Sequence, residues 1–323
     1  MAHEEITSIG YDNLLLSNPI PDAVEAPQAA INFLQKRNRQ QPFFLDVGVF
    51  ETHRYQNGLF HKEKIQGDGR YTRPPEPIPD TPDTRDDWAD YCESARRMDQ
   101  GFGRIRQELE AQGILDDTII IYTTDHGPAF PNMKCTLSDF GIQVALIMRW
   151  PEMIEAGQVS DDLVSHTDLF PSLCDMLGVS TPSWVQGKPC VPALNGSCGS
   201  REYVFAEVNH HAVYNPMRCI RSDRYKLVRH YANRPGITLK CCDPGLTKQA
   251  FLNWDWQHWH YSDIELYDLY LDPTESNNLA GNELYAQREK EMEAHLNQWM
   301  RATDDPLVAV ESEIIMSGAN GRV

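Results

Sequence analysis

Along the chain, short apolar runs alternate with long polar loops and a few amphipathic stretches. Residues 118–124 are dominated by β-branched and aromatic side chains, the composition of a strand buried on both faces. The run stops at Asp125-His126-Gly127-Pro128, where glycine and proline end regular structure. Residues 43–50 repeat the arrangement, with Pro42 leading an apolar strand that ends at Glu51-Thr52-His53-Arg54. Between the two, residues 86–112 place Tyr91, Ala95, Met98, Phe102, Ile105 and Leu109 at steps of four and three. That spacing predicts a helix with one apolar face, closed by Gly113 as its C-cap. The order strand, helix, strand predicts a βαβ crossover, and so a parallel pair in one sheet.

Residues 27–37 read as a helix with Pro27 in its first turn, and residues 56–87, rich in Pro, Gly and charge, as a long loop. Residues 144–149 predict a strand closed by Trp150-Pro151, residues 161–177 a helix, and residues 204–208 a strand leading into Asn209-His210-His211. Beyond about residue 215 the pattern changes to short strands at 217–220, 225–229 and 265–269, followed by a closing helix at 283–301. Residues 231–262 are irregular and rich in Trp and Cys. This predicts a poorly structured lead-in over 1–26, an α/β domain over 27–215 and a smaller antiparallel subdomain over 216–323.

Charge narrows the classes. The net charge of −18, from 47 acidic and 29 basic residues, argues against nucleic acid as a partner and leaves no polybasic membrane patch. An anionic substrate stays open, because a metal ion and a few cations reverse the field locally. No stretch approaches the roughly 20 apolar residues of a membrane span. The start, Met-Ala-His-Glu-Glu-Ile, lacks the basic and apolar segments of a signal peptide. Eight cysteines are too few for a disulfide scaffold, and none forms CxxC. Cys190 with Cys198, and the adjacent Cys241-Cys242, leave one or two bridges open, and Asn195-Gly196-Ser197 is a glycosylation sequon of use only in a secreted protein. Compartment and oligomeric state stay open, a homodimer included.

The candidate chemistry gathers at strand ends. Asp125 and His126 follow the most strand-like run, at the edge where open α/β sheets bind ligands. A carboxylate followed by an imidazole supplies oxygen and nitrogen to one divalent metal; the plainer alternative is a solvated loop Asp beside a hydrogen-bonded His. His53 closes the run at 43–50 in the same way. His210 and His211 also follow a strand end, with substrate contact and simple packing equally open. Trp254, Trp256 and Trp259 suit either a sugar-binding rim or a core, and the core is the commoner fate of such rings.

These segments together resemble a known family. Pro42-Phe43-Phe44-Leu45 leading to His53, Met98-Asp99, Thr123-Thr124-Asp125-His126-Gly127 and Leu146-Ile147-Met148-Arg149-Trp150-Pro151 resemble, in order and spacing, the type I sulfatases of the alkaline phosphatase superfamily. Arg218 to Leu227, Glu265-Leu266-Tyr267-Asp268 and Asp272-Pro273-Thr274-Glu275-Ser276-Asn277-Asn278-Leu279 resemble the sulfatase C-terminal subdomain. The stretch from Phe205 to Met217 and residues 251–261 look most like the sulfamidase branch, the heparan N-sulfatases.

The resemblance implies an alkaline-phosphatase-like α/β sandwich, a mostly parallel sheet between helices, with a smaller C-terminal antiparallel sheet. It also implies hydrolysis of a sulfate ester or sulfamate on a sulfated carbohydrate such as a glycosaminoglycan, with a Ca²⁺-type ion as cofactor. Asp125 and His126 match the metal-binding pair, although the sulfamidases usually carry Asn at the second position. Lys134 matches a basic residue that contacts the sulfate, an Arg in sulfamidases, and Lys offers a point charge where Arg offers a planar fork. His53 matches a histidine facing the sulfate and the leaving group, placed to donate the leaving-group proton. Glu51-Thr52 departs from the more usual Asp-Pro.

Family members also carry, near their N-terminus, two acidic metal ligands and a Cys-x-Pro/Ala-Ser-Arg motif whose Cys becomes the nucleophilic formylglycine. None of the eight cysteines here lies in that motif. The expectation is therefore the C-terminal part of a sulfatase, with half a metal shell and no turnover by itself. The alternatives are a phosphomonoester or phosphonate hydrolase of the same superfamily, or a fragment that binds sulfated glycans without turnover.

Overall fold

A computed structural model describes residues 10–63, 67–189, 201–232, 239–260 and 262–308. Cys190, Cys198 and the sequon at Asn195 lie outside the described residues. In chain order the elements are α1 (Glu25–Lys36), α2 (Pro82–Ala111), β1 (Ile120–Thr123), α3 (Asp139–Ile142), β2 (Leu146–Arg149), α4 (Leu169–Met176), β3 (Val204–His210), β4 (Tyr214–Arg221), β5 (Tyr225–His230), α5 (Leu246–Asn253), β6 (Ile264–Asp268) and α6 (Ala286–Ala302). The chain forms two compact units. One comprises Met1–Lys134, Gln143–Ala156 and Leu239–Gln257; the other comprises Cys135–Ile142, Gly157–Thr238 and His258–Val323.

In the first unit, α2 begins earlier than its apolar stripe predicts, because Thr81 caps it. The Thr81 hydroxyl accepts from the Thr84 amide, the Thr84 hydroxyl accepts from the Thr81 amide, and Pro82 occupies the first turn. Helix α1 approaches α2 at Gly101, where an added Cβ would stand 2.7 Å from both Ala23 O and Pro27 Cγ. Leu34, Leu109 and Leu115 form the local core, with Phe43, Leu45, Ile105 and Ile120 packed against them.

The expected parallel pair is absent. Residues 43–50 form no strand: Phe43, Leu45 and Val47 are half-buried and Phe44 is 71% exposed. β1 instead pairs antiparallel with β2, from Ile120 opposite Arg149 to Thr123 opposite Leu146. Among the described residues both sheets are antiparallel throughout. An apolar run reports burial of an extended segment and carries no information about which strand it joins.

In the second unit, β3, β4, β5 and β6 form one antiparallel sheet in sequence order. Ile220, Leu227 and Leu266 stand on one face and are covered by Met292, Leu296 and Met300 of α6. Met217, Cys219 and Val228 on the other face pack with Leu137. The domain boundary expected after residue 215 thus falls inside β4, and β3, assigned above to the larger domain, is the partner of β4. The helix expected over 161–177 is shorter, since a 3₁₀ turn at His166–Asp168 precedes α4.

The second unit also buries a charge cluster. Lys226, wholly enclosed in β5, pairs with Glu275 and, at 3.1 Å, with Asp139, and Arg221 holds Asp139 at 3.1 Å as well. Burial works to raise the Asp139 carboxyl, but the Lys226 and Arg221 charges outweigh it and hold the group below the usual carboxylate range.

Candidate functional site

His53 lies on a tight turn, its amide donating to Phe50 O at 2.8 Å and its ring 4.8 Å from the Phe50 ring centroid. Its Nδ1 is 2.6 Å from the Arg54 carbonyl oxygen, an acceptor, so Nδ1 carries the proton and donates. Nε2 is then the lone-pair nitrogen, and the Lys134 ammonium donates to it at 2.9 Å. Lys134 also donates to Asp243 Oδ2 at 2.9 Å, and its side chain is only 5% exposed. Burial pushes the His53 pKa down, and the nearby Lys134 and His126 add to this; the Arg54 carbonyl and Asp243 oppose it.

The loop carrying His53 is pinned by the next residue. Buried Arg54 forms a two-pronged pair with Asp87 of α2 at 2.9 and 2.8 Å. Its Nε donates to Ala129 O at 2.9 Å, Nη1 donates to Gly58 O at 2.9 Å, and the guanidinium stacks 3.8 Å above the Phe60 ring. Asp87 also accepts from the Thr247 amide of α5 at 2.9 Å. The loop after β1 is anchored by fully buried Phe130 and Met133, and the Lys134 amide donates to Pro128 O at 3.2 Å.

Asp125 and His126 end β1 as the apolar run predicts. His126 Nδ1 lies 2.7 Å from Gly127 O and donates to it, and Nε2 lies 3.4 Å from Asp125 Oδ2. A carboxylate oxygen beside an imidazole whose ring is oriented by a backbone carbonyl is a donor set that suits a divalent metal. It supplies two ligands: among the described residues no group of three or more His, Cys, Asp or Glu side chains is arranged to hold an ion.

The structure therefore brings His53 and Lys134, 81 positions apart, into direct contact, with His126 near enough to act on His53 electrostatically. His210 and His211 belong to the other unit, exposed at the turn from β3 to β4, where the His211 amide donates to Val213 O at 3.2 Å. Trp256 is buried against Phe251, whereas Trp254 and Trp259 are partly exposed. The pattern of the chain missed Asp243 and the Arg54–Asp87 pair. Asp243 lies in an irregular stretch 109 positions from Lys134, with no periodic signal, while Arg54 was detectable only as the neighbour of His53.

Comparisons with known proteins bear on the family and the fold. The model of the sulfatase family matches residues 23–179, and that of the N-sulphoglucosamine sulphohydrolase C-terminal region matches residues 133–241. Human N-sulphoglucosamine sulphohydrolase is 30% identical over 330 residues, covering 88% of this chain and 65% of the relative. A solved 2-O GAG sulfatase superposes with a TM-score of 0.67 at 19% identity, over 90% of this chain and 66% of that one. A structure in complex with its substrate D-glucosamine-2-N,6-O-disulfate superposes with a TM-score of 0.56 at 26% identity, over 69% of this chain and 42% of that one. The chain thus spans about two thirds of the human relative's length. The fold is the α/β fold of the alkaline-phosphatase-like sulfatases, and the chain belongs to the sulfatase family.

Proposed function

We propose that the whole protein hydrolyses a sulfate ester or sulfamate on a sulfated sugar such as a glycosaminoglycan, and that this chain supplies the sulfate-holding and proton-handling side of the site. The contact between the Lys134 ammonium and the lone-pair nitrogen of His53, 2.9 Å long and shielded from water, carries the reading. A lysine ammonium has three N–H donors. Two are used, on His53 and Asp243, and the third is available to a sulfuryl oxygen. The Lys134–His53 pair holds one proton between two basic nitrogens, and a leaving oxygen or nitrogen set against it draws on that proton.

A divalent ion of the Ca²⁺ type, held in part by Asp125 and His126, would supply Lewis acidity and orientation. The relatives with named sugar substrates support a carbohydrate ligand, with His210 and His211 as further proposed substrate contacts. The attacking group is a different matter. None of the chain's cysteines stands in the formylglycine motif, so the chain by itself is expected to bind without turnover.

The test is calorimetry of the full chain with N-sulfoglucosamine in the presence of Ca²⁺, alongside hydrolysis assays on that sugar and an aryl sulfate. Binding that disappears in Lys134→Ala, without turnover, is the expected result. Binding of methylphosphonate in preference to the sulfated sugar would move the reading to phosphonate chemistry. Turnover that is lost in Asp125→Ala would show that the chain already holds a complete site.

A further inference from the structure

Lysine is a poor instrument for holding a charge at one point. Its stem is long and flexible, and ordering it costs rotamer freedom. At Lys134 the stem is enclosed and the ammonium has two partners among the described residues, His53 Nε2 and Asp243 Oδ2, each at 2.9 Å. Both partners are braced by one residue, Arg54: His53 by its backbone carbonyl, the Asp243 segment by its guanidinium. The Arg54 carbonyl orients the His53 ring. The Arg54 side chain packs so closely on the segment after Asp243 that a Cβ at Gly245 would stand 2.6 Å from Nη1. Asp87, clamped to Arg54, also accepts from the Thr247 amide at the start of α5. On the near side, Lys248 donates to Cys242 O at 2.7 Å. Asp243 is thus presented from a braced turn, with its side chain 21% exposed, at the rim of the enclosed lysine.

We propose that Asp243 is a positioning residue of the anion site: it fixes the Lys134 ammonium against His53 Nε2 and directs the remaining N–H to the anion. The proposal rests on the reading of Lys134 as the sulfate contact. A carboxylate serving only to staple the turn would affect stability alone. A positioning carboxylate also governs the hydrogen bond that Lys134 makes to His53.

The readout is the side-chain ¹⁵N spectrum of the full chain, with His53 assigned by its loss in His53→Gln. In the wild type, Nδ1 is the protonated nitrogen, and Nε2 is shielded by the Lys134 hydrogen bond. Lys134→Ala removes that bond and marks the full downfield displacement of Nε2. Asp243→Asn and Asp243→Ser, both read so that one folded variant suffices, are expected to give at least half of that displacement; Asp243→Glu returns most of it. An Nε2 signal left at its wild-type position in either folded Asp243 variant, while Lys134→Ala moves it, overturns the proposal. Inorganic sulfate is then titrated in. A wild-type response that falls by half or more in Asp243→Asn supports the positioning role, and an undiminished response contradicts it. A wild-type chain that ignores sulfate counts against the sulfate reading of the site, while the sulfate-free spectra still decide whether Asp243 positions Lys134.

Discussion

Among the described residues two lysines are buried, one in each unit, and their surroundings differ in kind. Lys226 stands near the start of a regular strand, fully enclosed, with two carboxylates, Asp139 and Glu275, and with Arg221 sharing Asp139. Lys134 stands on an irregular loop, with one carboxylate at the rim and one neutral imidazole. Burial of an ammonium therefore says little about function. What matters is whether its neighbours consume its charge within rigid elements, as around Lys226, or hold it in one direction beside an ionisable ring, as around Lys134.

The widest difference should appear on removing each cation. Lys226→Met leaves Asp139 and Glu275 facing each other with Arg221 alone to compensate, and should cost about 3–5 kcal/mol in urea unfolding at neutral pH. A loss below about 1 kcal/mol would break the comparison. Arg54→Met strands buried Asp87 and should cost about 3 kcal/mol. By removing the side-chain anchors on Ala129 O and Gly58 O that pin the His53 loop, it should also shift the His53 ring signals, which Lys226→Met should leave in place. Lys134→Ala should cost only about 1 kcal/mol, because Asp243 is partly solvated and His53 is neutral, yet it should abolish sulfate binding in calorimetry.

The smallest effect separates the units by pH. His53 titrates below its ordinary 6.5 in the folded chain, so the unfolded chain binds more protons as pH falls past that value. Its contribution is present above 6.5 and is lost as pH falls toward the lower folded value. Asp139 and Asp305, held below 3.8 by Lys226 with Arg221 and by Arg218 against the effect of burial, contribute fully above 3.8 and lose their share only as pH falls through the depressed values. Unfolding curves for wild type and His53→Gln should therefore draw together as pH falls from 6.5 through the depressed folded-state pKa, and stay parallel in stronger acid. Curves that part only in the carboxylate range would place the acid sensitivity in the sheet unit alone.

Local pattern alone determined much of this protein. The steps of four and three predict α2, the apolar run predicts β1 and its end at Asp125-His126, and the tail pattern predicts β4, β5, β6 and α6. Each of these is a decision about which face of a short segment leaves water, and the free energy of that choice is written in neighbouring residues. Tertiary structure decided the rest: that β1 pairs with β2, that residues 43–50 form no strand, and that β3 joins the C-terminal sheet. It also brought Asp243 to Lys134 across 109 positions and made Arg54 the brace behind both ends of that contact. Closing a loop costs free energy that grows only slowly with its length, so a partner far along the chain costs little more than a near one, and no local periodicity records which was chosen.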